Sequence, residues 1–194
     1  MGMRLRELLD LVIAWIVITV AFSASAIWER LYVLVPIYAT ATLLGFVGHE
    51  LAHRFVGRKF GAYTEFRAWY LGLAIALVTG IATRGSFIVA APGAVYIYST
   101  WLTPYEEALI ALAGPTVNLV IGLICLALRA ALPYGYAWLF ASIVGSVNAT
   151  LAFFNMIPVP PLDGYKVFRT SIVRWAIVFG ISLATFIAYA AGVS

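Results

Sequence analysis

Charged residues, cysteine and histidine are all scarce in this sequence. Lys and Arg together number 12 and Asp and Glu together number 8 among 194 residues, so 10% of the chain is charged while 64% is hydrophobic. A soluble globular domain is about 25% charged. The scarcity of charge excludes a soluble domain of ordinary size, so any chemistry must take place among membrane-embedded segments.

Cysteine content and net charge narrow the possibilities further. Cys125 is the single cysteine, so an intramolecular disulfide is impossible. The cysteine content does not indicate whether the protein faces an oxidising or a reducing compartment. The formal net charge of +4 is explained in a membrane protein by the placement of basic loops. We therefore expect a lipid bilayer as the surroundings of the chain and no nucleic acid as a partner.

Apolar runs divide the chain into spans. There is room for about five or six transmembrane helices of roughly 20 residues each, and we predict an all-α polytopic membrane protein with a single domain over residues 1–194. Thr103 followed by Pro104 and two acids predicts the start of a helix. The main apolar runs lie at 8–27, 32–56, 104–132, 136–157 and 172–191.

Residues 61–100 do not fit this helical pattern. Their composition and alternation predict strands over 62–69, 86–91 and 94–99, and the apolar run 69–83 is short for a span. We predict a small membrane-embedded re-entrant segment with β-structure, packed against the helices. Irregular backbone survives at membrane depth only where protein or a water cavity satisfies it. Whether 69–83 spans or re-enters the membrane stays open.

The basic residues predict an orientation. If the second apolar run ends in the cytosol, nine of the 12 Lys and Arg residues lie on or near the cytosolic side, as the positive-inside bias requires. We therefore predict a multi-pass protein of the cell membrane with its N-terminus inside. The nine residues are Arg4, Arg6, Arg54, Arg58, Lys59, Arg67, Lys166, Arg169 and Arg174.

The only two histidines stand four residues apart near the end of the second apolar run. At that spacing His49 and His53 share one face of a helix, and Glu50 lies between them as in zinc hydrolases. Ionisable groups are costly in a membrane span, so their joint presence favours function over chance. We predict one zinc ion per chain at this site.

A catalytic zinc ion typically has three protein ligands, so one more is needed. Six of the eight acids lie at span ends or in the loop after the second run, which leaves Glu50 and Asp163 at apolar depth. Glu50 is rotated by about 100° from His49 on the helix, which suits a general base better than a ligand. Asp163 is the natural third ligand; alternatively, it caps the segment after Pro161 or pairs with Lys166.

Three sequence blocks together resemble the site-2 protease family of intramembrane zinc metalloproteases. HELAH at 49–53 matches the HExxH motif, AGPTVN at 113–118 is similar to the GPxxN block, and NMIPVPPLDG at 155–164 matches NxxPxxPLDG. The resemblance covers about residues 30–170 in the family's order.

The resemblance implies a role for each matching residue. His49, His53 and Asp163 would bind zinc, Glu50 would be the general base, and Asn155 would lie near the scissile bond or the substrate strand. It also implies membrane-embedded β-structure in the region 61–100.

The sequence as a whole predicts an intramembrane zinc endopeptidase that cuts a transmembrane segment of another protein, with its active site toward the cytosolic side. We expect the substrate to contact Asn155, Pro158, Pro161 and Asn118. The prolines remove backbone donors and break the helix; they either end the span or expose carbonyls that pair with an extended substrate. The alternative function is that of a zinc-binding membrane protein without proteolytic activity, such as a transporter or an inactive homologue. The oligomeric state stays open.

Overall fold

Helices dominate the computed structural model, which describes residues 3–86, 88, 93–99 and 101–192. By length and composition, four helical segments in this part of the chain can cross a membrane. They are Tyr32–Lys59, Pro104–Ala131, Tyr136–Asn155 and Ile172–Ala191. The predicted all-α polytopic architecture is confirmed.

The first apolar run forms two helices that meet at Ser23. These are α1 (Leu5–Phe22) and α2 (Ala24–Trp28). The Ser23 hydroxyl donates to the Thr19 carbonyl at 2.8 Å, a local bond that competes with regular helical pairing. The predicted single span over 8–27 is therefore interrupted near its end.

The second apolar run is continuous but irregular in its middle. A 3₁₀ turn leads into α3 (Val35–Thr42), a π-helical turn occupies Leu43–Val47, and α4 (Gly48–Lys59) follows and carries both histidines. A π-helical turn widens the helix locally and is frequent at functional sites. It lies directly before the first histidine.

A two-stranded antiparallel sheet forms within the irregular segment. β1 (Tyr63–Ala68) pairs with β2 (Gly93–Tyr98), so that Tyr63 lies opposite Tyr98. The predicted strands at 62–69 and 94–99 are confirmed, whereas the predicted strand at 86–91 falls largely outside the described residues. Between them, the run 69–83 forms α5 (Tyr70–Ala82), a helix about 20 Å long.

Two acids near the start of α1 hold the outer edge of the sheet. Glu7 accepts a hydrogen bond from the Phe66 backbone N–H at 3.1 Å, and Asp10 accepts one from the Ala68 N–H at 3.3 Å. Glu7 also forms a buried ion pair with Arg54 of α4. These acids were expected at the exposed end of a span, but they are buried because they satisfy edge donors of β1.

The remaining helices build the frame around α4. α6 (Pro104–Ala131) starts after Thr103, as predicted, and Thr103 and Glu106 form a capping box there. α7 (Tyr136–Asn155) runs back along α6, α8 (Asp163–Thr170) follows a short turn, and α9 (Ile172–Ala191) closes the described chain. α6 packs against α4, α7 and α8, so the three sequence blocks meet in space.

Candidate metal centre

Helix α4 places both imidazoles on one buried face. His49 and His53 are four residues apart, and their Nε2 atoms lie 2.9 Å from each other. The rings are nearly perpendicular, with an interplanar angle of 81°. Both rings therefore present one nitrogen to the same point.

Asp163 approaches that point from the first turn of α8. Its Oδ2 atom lies 3.2 Å from Nε2 of His49 and 3.1 Å from Nε2 of His53. The chain thus brings together three residues that are up to 114 positions apart in sequence, because α7 ends at Asn155 and a turn returns the backbone to α4. These are the three residues predicted as metal ligands.

The opposite nitrogen of each ring fixes its tautomer. His53 Nδ1 lies 2.7 Å from the Ile110 carbonyl oxygen, which can only accept, so this nitrogen carries the proton. His49 Nδ1 lies 2.7 Å from Asn118 Oδ1. The Asn118 amide donates to the Gly45 carbonyl and to Asn148, so its oxygen accepts from His49.

These tautomers leave three acceptors facing one another. In the neutral form with Nδ1 protonated, each imidazole directs its Nε2 lone pair toward the point where the Asp163 carboxylate also lies. A metal cation bound there would satisfy all three acceptors. A tetrahedral zinc ion with bonds of about 2.0–2.1 Å separates its ligand atoms by about 3.3 Å, close to the observed 2.9–3.2 Å. The residues fit a zinc ion.

Gly114 of α6 gives the imidazoles the space they need. A Cβ atom at this position would lie 2.5 Å from Nε2 of both His49 and His53. Only a residue without a side chain lets α6 pass this close to the two rings. This gives a steric reason for the glycine in the predicted GPxxN block.

Asn148 of α7 is a site residue that the sequence motifs do not include. It is fully buried, and its amide nitrogen donates to the carbonyls of Ala41 and Val144, at 3.3 and 2.9 Å. Its oxygen accepts from Asn118 at 3.3 Å. An asparagine within a predicted membrane span was the available signal, because polar groups need partners at membrane depth.

Glu50 lies in the wall of the cavity that contains the three acceptors. This cavity has a volume of about 120 Å³. The Glu50 side chain is buried, and its Oε2 atom has no hydrogen-bond partner among the described residues. A buried carboxylate oxygen without a partner is costly, and Glu50 stands among the residues that line the cavity.

Only two of the four residues predicted to contact a substrate line this cavity. Asn155 and Pro161 line the cavity, whereas Pro158 and Asn118 are not part of its lining. Both ends of the Asn118 amide are occupied by the protein, as described above. Lys166, which the sequence offered only as a possible partner of Asp163, also lines the cavity.

The edge of the sheet contributes the cavity's remaining wall. Gly93, Ala94, Val95 and Ile97 of β2 line it. The outer edge of β1 is occupied by Glu7 and Asp10, whereas the outer edge of β2 faces the metal ligands. An extended backbone thus lies beside the predicted site of chemistry.

The chain is similar to curated proteins whose names describe zinc metalloproteases. It is 40% identical to "Putative zinc metalloprotease MJ0611" of Methanocaldococcus jannaschii over 95% of this chain and 94% of that protein. It is 30% identical to "Putative zinc metalloprotease Rip2" of Mycolicibacterium smegmatis over 79% of this chain and 62% of that protein. Its identity to "Putative zinc metalloprotease YwhC" of Bacillus subtilis is also 30%, over 69% of this chain and 68% of that protein. No protein-family model and no solved structure matches the chain.

Proposed function

The chain belongs to the site-2 protease family of zinc metalloproteases, and we propose that it hydrolyses a peptide bond within a transmembrane segment of a substrate protein. That the chain is a zinc metalloprotease follows from its family. Cleavage inside the membrane is what we propose. We assign His49, His53 and Asp163 as the zinc ligands and Glu50 as the general base.

One observation carries the proposal. A group of three candidate metal ligands and a buried carboxylate with one unpartnered oxygen lies among helices that are apolar and long enough to cross a membrane. A soluble substrate has no reason to enter such a place, whereas a membrane-spanning segment already lies beside it. The position of the chemistry therefore favours a membrane-spanning substrate.

Glu50 performs the proton transfers in the proposed mechanism. A bound zinc ion supplies a Lewis acid that polarises the substrate carbonyl and acidifies a water molecule. The Glu50 carboxylate accepts the proton of the attacking water and then donates it to the leaving amide nitrogen. His49 and His53 keep their orientation, because each Nδ1–H is held by an oxygen of α6.

The substrate segment must be extended at the cut. An intact helix keeps its amides bonded within itself, so the scissile bond has to leave the helical conformation first. Two nearby backbones can pair with an extended strand: the outer edge of β2, and the turn at 156–162 with its three prolines. Asn155 and Pro161 line the same cavity, and we assign them to the walls of the substrate path.

The distribution of basic residues supports a cytosolic position of the site. Lys166 lines the site cavity, and Arg54 follows His53 directly on α4. Arg58 and Lys59 follow in the last turn of the same helix. By the positive-inside bias, the end of the molecule that carries the metal centre faces the cytosol.

The test uses the detergent-purified full chain with a transmembrane substrate peptide, beside Glu50→Gln. This variant keeps the shape of the side chain and cannot accept a proton. We expect it to retain one zinc ion per chain and to lose about 10²–10⁴-fold in cleavage rate. Cleavage by the variant at the wild-type rate would refute the assigned base. Zinc transport into liposomes without any cleavage would favour the transporter alternative.

A further inference from the structure

A second cavity extends along α7 from the end of the molecule opposite the metal centre. The Ile110 carbonyl contacts His53 near the start of α6, whereas Arg129, about 28 Å farther along the same helix, lines the second cavity. This cavity has a volume of about 810 Å³. We call it the arginine cavity, because Arg84 and Arg129 both line it.

The two guanidinium groups are held by aromatic rings. Arg84 lies over the Trp28 ring at 5.0 Å, and Arg129 lies over Trp138 at 5.1 Å and over Tyr189 at 5.7 Å. A ring contacts the face of a guanidinium and leaves the N–H groups at its edge free to donate. Arg129 also donates one hydrogen bond to the Gly192 carbonyl, which leaves further donors available.

The charge of this cavity is not neutralised within the part of the chain that the structure describes. No carboxylate lines the cavity, and neither arginine forms an ion pair with a described acid. Two arginines in a partly enclosed space attract an anion, and a phosphate accepts from them through several oxygens. The ligand chemistry is therefore that of a phosphate or a similar anion.

The rest of the lining is suited to a molecule with an apolar part. Ser142, Ser146 and Thr150 follow one another at four-residue intervals on α7 and give the cavity a row of hydroxyls. Phe154 and Phe186 also line the cavity. Its lining therefore combines two cations with hydroxyls and aromatic rings.

The volume of the arginine cavity is that of a small-molecule site: about 810 Å³ lies within the range of about 300–1,000 Å³. We propose that the arginine cavity binds one anionic phospholipid, with its phosphate between Arg84 and Arg129 and an acyl chain against α7.

The test measures lipid binding to the detergent-purified full chain. Phosphatidylglycerol and phosphatidylcholine carrying the same fluorophore are titrated into protein that has been stripped of native lipid. We expect phosphatidylglycerol to bind at one site and more tightly than phosphatidylcholine. Arg84→Gln and Arg129→Gln should each weaken its binding about tenfold, while Arg30→Gln, an exposed arginine that does not line the cavity, should bind like the wild type.

A second variant keeps both charges and fills the space. Ser146→Phe places a ring among the lining residues of α7 and should block phosphatidylglycerol while Arg84 and Arg129 remain. One zinc ion per chain in every variant shows that the fold is intact, because the metal centre lies at the other end of the molecule.

Three results would overturn the proposal. Equal binding of the two phospholipids would exclude recognition of the anionic headgroup. Displacement by glycerol 3-phosphate at the same affinity would assign the cavity to a free phosphate. An acidic peptide that binds more tightly than phosphatidylglycerol and depends on Arg84 and Arg129 would make the cavity a protein-docking site.

Discussion

Asp163 completes the ligand set from a different element than the histidines. Its Oδ2 atom lies 3.2 Å or less from both Nε2 atoms. Asp163→Asn replaces a charged ligand with a neutral amide of the same size. We expect zinc affinity to fall by more than the about 10–100-fold that follows loss of a hydrogen-bond partner of a ligand. Elemental analysis after dialysis measures it, with Glu107→Gln in α6 as the control; unchanged zinc would remove Asp163 from the ligand set.

Asn118 and Asn155 are two asparagines with different proposed tasks. Asn118 accepts from the His49 ring and is fully buried, whereas Asn155 lines the cavity and donates to the Leu151 carbonyl of its own helix. Asn118→Ala should weaken zinc binding about 10–100-fold. Asn155→Ala should leave zinc content unchanged and slow cleavage. If the two variants had the same zinc content and the same cleavage rate, the division of tasks would be wrong.

Some of these site residues can be predicted from the sequence and others cannot, because their contacts differ in how far apart they lie along the chain. His49, Glu50 and His53 lie within one helical turn, so their spacing alone puts them together. Asn148 forms hydrogen bonds with Ala41 and with Asn118, which lie 107 and 30 positions away in the sequence. Such contacts depend on how α7 packs against α3 and α6. The residues next to Asn148 in the sequence do not indicate either partner.

At the scale of elements, α6 approaches α4 closely at the site. Gly114→Ala would place a methyl group 2.5 Å from both imidazole nitrogens. α6 would have to move away or the rings would have to turn, and we expect loss of zinc with the helices still formed. Gly180→Ala in α9 is a matched control, because nothing lies within 4 Å of its Cβ position. Circular dichroism with elemental analysis separates the outcomes; normal zinc in Gly114→Ala would show that the helices have room to adjust.

The attachment of the sheet to α1 gives another prediction at this scale. Glu7→Gln removes the charge that pairs with the buried Arg54 and weakens the bond to the Phe66 N–H. Leaving a buried charge without its partner costs about 3–5 kcal/mol, so we expect a lower thermal midpoint and faster hydrogen exchange at Phe66. Exchange measured by mass spectrometry checks it, with Glu29→Gln at an exposed position as the control. Equal exchange in both variants would show that Glu7 does not hold the strand.

Elements with strong local patterns were predictable and those set by packing were not. Alternation in 62–69 and 94–99 indicates strands, and Thr103 followed by Pro104 and two acids indicates the start of α6. The π-helical turn at Leu43–Val47 has no proline or other local signal. It depends instead on Asn118 and Asn148, which supply partners for the carbonyls of Gly45 and Ala41.

For the whole molecule, the orientation in the membrane determines where a substrate is cut. The metal centre lies at the end that carries most of the Lys and Arg, so cleavage should fall in the cytosolic half of the substrate's span. Gly, Asn or Pro beside the scissile bond should speed cleavage, and a Leu- and Ala-rich replacement should slow it. Mass spectrometry of the product ends for such a substrate series measures both effects. Cuts in the outer half would refute the orientation, and rates indifferent to helix-breaking residues would refute the need for an extended substrate.

The π-helical turn also makes the protein sensitive to the length of its chain. This turn accommodates one residue more than an α-helix of the same rise. An in-frame deletion of one codon between positions 43 and 47 would give the helix back its regular backbone pairing, and the membrane span would become more uniform. The two asparagines would then lose the carbonyls they bind, and His49 would lose the amide that orients it. A descendant of this gene could therefore keep every ligand and every motif and still become an inert membrane protein through the loss of a single codon.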